Sequence, residues 1–271
     1  MNKKENIADL ILVQLEKNKK TILKQFLTTK KRINYFILDN LLPEGLANSI
    51  SNSFPPQSVL MKRKNIREHK YVSSQMNQFD PKLESTILAF QDKKIISWFK
   101  KSLKFPSLYP DKYLYAGGIS SMGQGHFLNP HIDNSHDRKR KKWRVLNLLY
   151  YVSPKWQTEY GGNLEIWEDG LKRSPTVIGS KFNRLVVMET HSNSWHSVSP
   201  VLEKKYRHCI SNYFFSDNQN KFDSSFNVTS FRGRPRERVK DVILIIDSKL
   251  RMLIRKIFPN GVIKTKHVYK N

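Results

Sequence analysis

Three side chains in this sequence could together bind a metal ion. His131 and Asp133 stand two residues apart, and on an extended strand that spacing puts an imidazole and a carboxylate on the same face. His196, far downstream in a second strand-like run, is the best candidate for a third ligand. Two histidines and one carboxylate on one face of a metal leave the opposite face open, as in non-haem Fe(II) sites that react with oxygen. We therefore interpret the pattern as an oxygenase site.

Four other histidines lie near these three in the sequence: His126, His136, His191 and His208. His136 follows Asp133 on a basic, loop-like stretch and is a weaker candidate for a metal ligand. His191 lies in a turn, where we expect a solvated side chain. Cys209 is the only cysteine of the chain, which excludes an internal disulfide and a cysteine-based zinc cluster. Metal chemistry must therefore use histidines and carboxylates.

The chain is strongly basic. Its 271 residues include 48 Lys and Arg against 23 Asp and Glu, which gives a formal net charge of +25. Such a field attracts phosphates, nucleotides and anionic surfaces. Because lysine and asparagine are spread over the whole sequence, a compositional bias at tolerant surface positions explains the excess equally well. A basic nucleic-acid-binding protein therefore stays open as an alternative.

The residue pattern of the second half of the chain is typical of an antiparallel β-structure. At 38% apolar residues the chain can bury a sizeable core. Seven short runs are rich in aliphatic and aromatic residues and are separated by Gly, Asn, Asp and Pro, which predicts a sandwich or barrel. These runs are residues 113–120, 125–128, 144–152, 164–167, 184–188, 195–201 and 207–215.

Helices are expected on either side of this β-region. Residues 6–27 have roughly a helical period, which predicts one helix or two short ones outside the core. The division we expect is an N-terminal helical extension (1–32), the β-domain with supporting helices (33–216) and a basic C-terminal helical extension (217–271). No apolar run of eighteen residues and no signal-like start is seen, so we expect a cytoplasmic protein without a membrane span.

The strongest helical pattern covers residues 237–257. Its apolar residues recur every three or four positions and form one stripe, with Arg and Lys opposite. We expect this stripe to be buried against the β-domain. A basic amphipathic helix that lies on an anionic membrane, or that docks a partner, is the alternative.

The ordered motifs of the chain resemble the 2-oxoglutarate- and Fe(II)-dependent dioxygenases of the prolyl-4-hydroxylase-like superfamily. The motifs are residues 127–133, 144–152, 160–167 and 194–201, followed by Arg207. The resemblance covers about residues 33–216. It implies a fold that is mainly β with flanking helices, with a double-stranded β-helix (jelly roll) core. It also implies Fe(II) held by His131, Asp133 and His196, with 2-oxoglutarate and O2 as cosubstrates and with release of succinate and CO2.

Further roles follow from this resemblance. Arg207 would pair with the distal carboxylate of 2-oxoglutarate, because a guanidinium can make two parallel charge-assisted bonds. Asn147 would donate a hydrogen bond near the cosubstrate. We expect the glycines at 161 and 162 to form a sharp turn, which is a structural role. A halogenase of this kind would have Gly or Ala in place of Asp133, so that a halide could bind the metal there. The presence of Asp133 therefore favours hydroxylation over halogenation.

The chain also departs from the prolyl hydroxylases. It has Met122 where they commonly have Tyr, and Arg207 where they usually have Lys. Tyr113 or Tyr115 could supply a phenol instead. These departures argue against a peptidyl-proline substrate, which stays the alternative within the enzyme class.

Five consecutive basic residues, 138–142, follow Asp133 closely. Our hypothesis is that this loop recruits an anionic substrate, such as a nucleotide-linked sugar, a phosphorylated glycan or an acidic peptide. The alternative outside enzymes of this type is a metal-binding jelly roll without redox chemistry. Neither that alternative nor a nucleic-acid-binding protein predicts the joint order of the motifs.

Overall fold

The structure is a computed structural model that describes residues 3–27, 33–220, 222–223, 225–258 and 269. Asp80 and Asp92 cap two of its helices by accepting hydrogen bonds from the backbone N–H groups of Lys82 and Lys94. The helices are α1 (Lys3–Lys17), α2 (Lys19–Leu27), α3 (Glu44–Asn52), α4 (Pro81–Ala89), α5 (Lys93–Ser102) and α6 (Arg238–Ile257). The helix or helix pair predicted for residues 6–27 is thus confirmed as a pair.

The strands form one curled antiparallel sheet. They are β1 (Tyr35–Leu38), β2 (Met61–Lys64), β3 (Glu68–Ser73), β4 (Tyr109–Pro110), β5 (Gly118–Met122), β6 (Phe127–Ile132), β7 (Trp143–Tyr151), β8 (Leu164–Ile166), β9 (Thr176–Ile178), β10 (Arg184–Glu189), β11 (His196–Val198), β12 (Arg207–Ser216) and β13 (Ser230–Phe231). The main order is β1-β10-β7-β12-β5-β3-β6-β11-β8-β9. This arrangement confirms the predicted double-stranded β-helix core with flanking helices.

The strand β3 joins the two halves of this sheet, because it pairs with both β5 and β6. Residues 57–82 are polar and basic with few periodic cues, a pattern that predicts loop with a strand only near residues 59–62; for β3 this prediction is wrong. Every residue of β3 is half-buried, and its sequence EHKYVS does not alternate between apolar and polar side chains. The strand forms because β2 pairs with one of its edges and β5 and β6 pair with the other, and not because of a local pattern.

The first predicted strand run, residues 113–120, begins later than expected. The carboxylate of Asp111 is buried and accepts hydrogen bonds from the backbone N–H groups of Tyr115, Ala116 and Gly117. These bonds hold the chain in a turn, and β5 starts only at Gly118. A side chain that binds the backbone locally competes with strand pairing.

The main hydrophobic core lies between the helices and one side of the sheet. Phe99 of α5 is fully buried and contacts Phe36 of β1 and Phe214 of β12, with ring centroids 6.4 and 5.7 Å away. Burial of such an aromatic side chain contributes roughly 1.5–3 kcal/mol. The buried residues of α1 and α2, among them Ile11 and Phe26, belong to the same core. The helices therefore pack against one face of the sheet and stabilise it.

The turn before β8 requires glycine. Gly161 and Gly162 have φ angles of +70° and +66°, and a Cβ atom on Gly161 would lie 2.0 Å from the carbonyl oxygen of Pro200. An L-residue is strained in this conformation and would also clash. The predicted structural role of this glycine pair is confirmed.

The helix α6 is oriented opposite to our prediction. Leu244 is its one buried residue, while the apolar stripe faces outward, with Val239 76% and Ile246 61% exposed. The inward face is polar and is held by ion pairs such as Arg232–Asp241. The prediction was wrong because these pairs, which join residues on different elements, decide the rotation of the helix. No helix in the described part of the chain is long and apolar enough to cross a membrane.

Candidate active site

The imidazoles of His131 and His196 lie opposite each other on the neighbouring strands β6 and β11. The Nδ1 atom of His131 is hydrogen-bonded to the backbone carbonyl oxygen of Asn129 at 3.0 Å. The Nδ1 atom of His196 is hydrogen-bonded to the backbone carbonyl oxygen of Ser194 at 2.9 Å. Because a carbonyl only accepts, each Nδ1 carries the proton and each Nε2 keeps a free lone pair. Both Nε2 atoms can therefore donate to a metal.

Asp133 completes the group. Its Oδ1 lies 3.7 Å from Nε2 of His131 and its Oδ2 lies 3.7 Å from Nε2 of His196. One donor atom from each of the three residues lies within 4.8 Å of the others, and all three residues are at most 9% exposed. Asp133 Oδ2 is buried without a hydrogen-bond partner among the described residues. These donors fit a divalent metal, because a cation would satisfy the orphaned oxygen.

The electrostatics keep the donors in their metal-binding forms. Burial, together with the neighbouring His196, lowers the pKa of His131 to about 3, so this imidazole is neutral near pH 7. Burial by itself raises the pKa of Asp133, but the guanidinium of Arg144 and the two histidines outweigh it, and the pKa is lowered. The site thus offers an anionic carboxylate beside a neutral imidazole.

Arg144 is a site residue that we did not single out in the sequence. It is 2% exposed at the start of β7, its Nη1 lies 3.5 Å from Asp133 Oδ1, and its guanidinium stacks 4.3 Å from the ring centroid of Tyr213. Its Nε and Nη2 atoms are buried without a hydrogen-bond partner in the described structure. An arginine at the start of an apolar run was the available signal, and Arg207 stands at the start of another such run.

A cavity of about 500 Å³ contains the three donor residues together with Arg207 and Asn147. Arg207 is 3% exposed, and its neighbours are the Ser180 hydroxyl, the Met122 sulfur and the ring of Tyr151. Among the described residues, no carboxylate forms an ion pair with it. The buried Oδ1 of Asn147 likewise has no partner there. Both side chains therefore have unused hydrogen-bonding capacity inside the cavity.

The other histidines that the structure describes lie outside the group of three. His136 lines the cavity, but it has no donor atom within 4.8 Å of all three of the others. His191 is 3% exposed, so the expected solvated position is wrong. The ring of His126 is tilted against that of His69 at a centroid distance of 3.8 Å, and His208 stacks on Phe54.

The two candidate phenols differ in position. Tyr115 lines the cavity, whereas Tyr113 is 50% exposed and its ring lies under the guanidinium of Arg138. Only Tyr115 is therefore placed to meet a ligand.

The cavity is lined by seven cations and two carboxylates, and most of the cations were not anticipated. The cations are Arg63, Arg67, Lys70, Arg144, Arg207, Arg251 and Arg255, and the carboxylates are those of Glu68 and Asp133. None of the basic residues 138–142 belongs to this lining; Lys142, for example, pairs with Asp217. Arg251 and Arg255 come from α6, which follows the other five cations of the lining in sequence.

The segment after β12 covers the site. Phe231 of β13 lies against His131, with ring centroids 5.2 Å apart, and the side-chain amide of Asn227 donates to the backbone carbonyl of Asp133. The β13 strand pairs with β6 at this point. Sequence reasoning missed this cover, because residues 217–231 are polar and show no period.

Residues 117–215 match the family model described as the 2OG-Fe(II) oxygenase superfamily. No curated protein matches the sequence. A prolyl-4-hydroxylase from Pseudomonas putida superimposes with a TM-score of 0.56 at 14% identity, over 74% of this chain and 100% of that chain. A prolyl 4-hydroxylase structure from Phytophthora capsici gives 0.53 at 13% identity, over 92% and 78%. The resemblance inferred from the motifs is confirmed, and at these identities the two structures show a common fold.

Proposed function

We propose that this chain, whose residues 117–215 belong to the 2OG-Fe(II) oxygenase superfamily, hydroxylates an anionic substrate. The observation that carries the proposal is the convergence of His131, Asp133 and His196 in a cavity that they share with a surplus of cations. Oxygenases of this superfamily depend on Fe(II), 2-oxoglutarate and O2. The chain is accordingly an oxidoreductase that consumes 2-oxoglutarate.

His131, Asp133 and His196 would hold Fe(II) through two imidazole nitrogens and one carboxylate oxygen. When bound, Fe(II) and 2-oxoglutarate let O2 oxidise a substrate C–H bond to an alcohol, while 2-oxoglutarate loses CO2 and becomes succinate. The hydrogen bonds from the two imidazoles to Asn129 and Ser194 fix the ring orientation and the tautomer before the metal arrives. The protein therefore contributes a preorganised set of donors.

Arg207 would bind the distal carboxylate of 2-oxoglutarate. Its burial, its lack of a carboxylate partner among the described residues and its place in the cavity support this role. A carboxylate ligand would compensate a buried charge, which is otherwise costly. Asn147 would donate a hydrogen bond from its amide to the same cosubstrate. The carboxylate of Asp133 occupies the position that a halide would need, which favours hydroxylation.

The substrate anion would meet the arginines of α6. Arg251 Nη2 and Arg255 Nε are buried without hydrogen-bond partners among the described residues. Asp247 lies 3.5 Å from Arg251 Nε, but it also pairs with Arg67, so one carboxylate serves two guanidinium groups. Burial, and then the nearby guanidinium of Arg67, lowers the pKa of Arg251. A bound phosphate or carboxylate would relieve the mutual repulsion of these cations. A nucleotide-linked sugar, a phosphorylated glycan or an acidic peptide meets this requirement, whereas a neutral peptidyl proline does not use these charges.

The oxygenase part is tested without knowing the substrate. Under anaerobic conditions, Fe(II) and 2-oxoglutarate should give the weak visible charge-transfer band of the chelate, and admission of air should yield succinate. The Asp133→Ala and His131→Ala variants should lose the band. A parent protein that shows no band would refute the oxygenase proposal and leave the metal-binding jelly roll and the nucleic-acid-binding protein as the alternatives.

The anionic-substrate part needs a screen for acceptors that stimulate succinate release. Phosphorylated and acidic compounds should stimulate it, and their neutral counterparts should not. With a positive acceptor in hand, Arg251→Gln and Arg255→Gln should raise the KM for that acceptor about tenfold or more, while the affinity for 2-oxoglutarate stays the same. Arg238→Gln is the matched control, because Arg238 is exposed on the same helix and does not line the cavity. Stimulation by neutral prolyl peptides alone would favour the prolyl hydroxylase alternative.

The nucleic-acid alternative has its own test. Filter binding to DNA and RNA over a salt series would reveal phosphate contacts by a steep fall in affinity. If the protein binds nucleic acid of any sequence and succinate formation is unchanged, the positive charge serves nucleic-acid binding. The charge would then no longer support an anionic substrate.

A further inference from the structure

The outer face of α6 is an apolar stripe with nothing packed on it in the described structure. Eight aliphatic side chains recur at intervals of three and four residues and are between 38% and 76% exposed. They are Val239, Val242, Ile243, Ile246, Leu250, Leu253, Ile254 and Ile257. A contiguous patch of this kind marks an interaction site, since single scattered apolar residues are the norm on a protein surface.

The rotation of α6 is fixed by its opposite face. Arg232 binds Asp241 with two hydrogen bonds of 2.7 and 2.8 Å, the Ser248 hydroxyl accepts from the backbone N–H of Phe231, and Asp247 pairs with Arg67. These contacts hold the polar face of the helix against the β-domain. Burying the stripe inside this chain would require breaking all of them.

The charges that border the stripe are positive. Arg238, Lys249 and Lys256 are exposed on α6. The acidic residues of the helix, Asp241 and Asp247, are bonded to the inward cations described above. The surface that α6 presents therefore consists of aliphatic side chains edged by cations.

We propose that the outer face of α6 binds an anionic lipid surface, with the stripe at the level of the acyl boundary and the basic residues at the headgroups. An apolar face bordered by Lys and Arg is the pattern of interfacial helices, and each basic residue near such a surface adds attraction. Charge complementarity selects this occupant over a second copy of the chain. A second copy would bring the same net charge of +25 and the same basic edge. This proposal is independent of the substrate and of the bound metal.

The first experiment uses a single reactive thiol. Cys209 is buried at 1% exposure, so an Ile246→Cys variant can be labelled selectively on α6 with an environment-sensitive fluorophore. Vesicles that mix phosphatidylserine with phosphatidylcholine should shift its emission to the blue, and vesicles of phosphatidylcholine alone should not. A Val13→Cys variant is the matched control, because Val13 is 60% exposed on α1. An equal shift at both positions, or no shift at either, would overturn the proposal.

The second experiment separates the stripe from the general charge of the protein. In vesicle sedimentation at physiological ionic strength, where long-range attraction is screened, Ile246→Ser combined with Leu250→Ser should reduce binding about tenfold or more. Val13→Ser should leave binding unchanged. Unchanged binding of the double variant would refute the proposal, and so would a dimer in light scattering that the same double substitution dissociates. The unaltered visible band of the double variant with Fe(II) and 2-oxoglutarate would show that it is folded.

Discussion

His131 and His196 are direct partners across the antiparallel pair β6–β11, and their ring centroids are 4.1 Å apart. Two residues distant in the chain are thus brought together by one pair of strands, and Asp133 joins them from the end of β6. The metal site consequently depends on the register of this pair, because a slip by one residue would turn a histidine to the other face.

Loss of one imidazole should strongly weaken metal binding. We expect His196→Ala to weaken Fe(II) or Co(II) affinity on the order of 100-fold or more, since two donors remain of three. His136→Ala is the control, because His136 lines the same cavity but lies outside the group of three. Isothermal titration under anaerobic conditions measures both variants. Equal weakening by the two substitutions would show that the ligand set is different.

Arg207→Gln should affect 2-oxoglutarate and leave the metal in place. We expect the Kd for this cosubstrate to rise about 100-fold, because a buried carboxylate would lose its charge-assisted bonds. Metal affinity should change by less than the error of the titration. Arg207→Lys keeps the charge but lacks the planar guanidinium, so its Kd for 2-oxoglutarate should lie between those of the parent chain and of Arg207→Gln. An unchanged 2-oxoglutarate affinity in Arg207→Gln would remove this residue from the cosubstrate site.

Arg144→Met should destabilise the metal-free protein. The substitution leaves the buried carboxylate of Asp133 without its cation, which costs about 3 kcal/mol or more of unfolding free energy. A divalent metal would then supply the missing positive charge. The rise in Tm on adding Co(II) should therefore be larger in the variant than in the parent chain. Differential scanning calorimetry decides the point, and a smaller rise in the variant would contradict it.

Stability should fall in mild acid through His208. Burial, and secondarily Arg207, lowers the pKa of His208 from an unfolded value near 6.5 to about 4. Between pH 6.5 and 4 the unfolded chain therefore binds a proton at this histidine, whereas the folded chain does not. The contribution of His208 to the free energy of unfolding is fully present above pH 6.5 and is lost as the pH falls to about 4. The loss is about 3 kcal/mol. Urea unfolding at neutral and acid pH should show a shallower decline for His208→Gln than for the parent.

The turn at Gly161 should not tolerate a side chain. Gly161→Ala forces an L-residue to a φ of +70° and places its Cβ against the carbonyl of Pro200, so we expect a loss of about 2 kcal/mol or more. Gly45→Ala is the matched control, because Gly45 lies in α3 with open space around its missing Cβ, and alanine there should stabilise by roughly 0.5–1 kcal/mol. Chemical denaturation gives both values. A neutral effect at position 161 would contradict the strain argument.

Much of the site could be predicted because its signals are local. The spacing of His131 and Asp133 gives a shared face on any strand, since side chains alternate with a period of two. Arg207 stands at the start of an apolar run, and the structure buries it. The strand runs and the helices α1, α2 and α6 were likewise visible as short-range periodicity, which each segment carries in its own residues.

The remaining features were decided by tertiary structure. β3 has no apolar alternation and forms because it pairs with β2, β5 and β6. The cations Arg251 and Arg255 reach the cavity only because α6 turns its polar face inward. The sequence by itself determined which side chains could do the chemistry and in what order they occur. Which face of α6 is buried, and which arginines surround the metal donors, depended on ion pairs between distant residues such as Arg67 and Asp247, and such pairs leave no periodic trace along the chain.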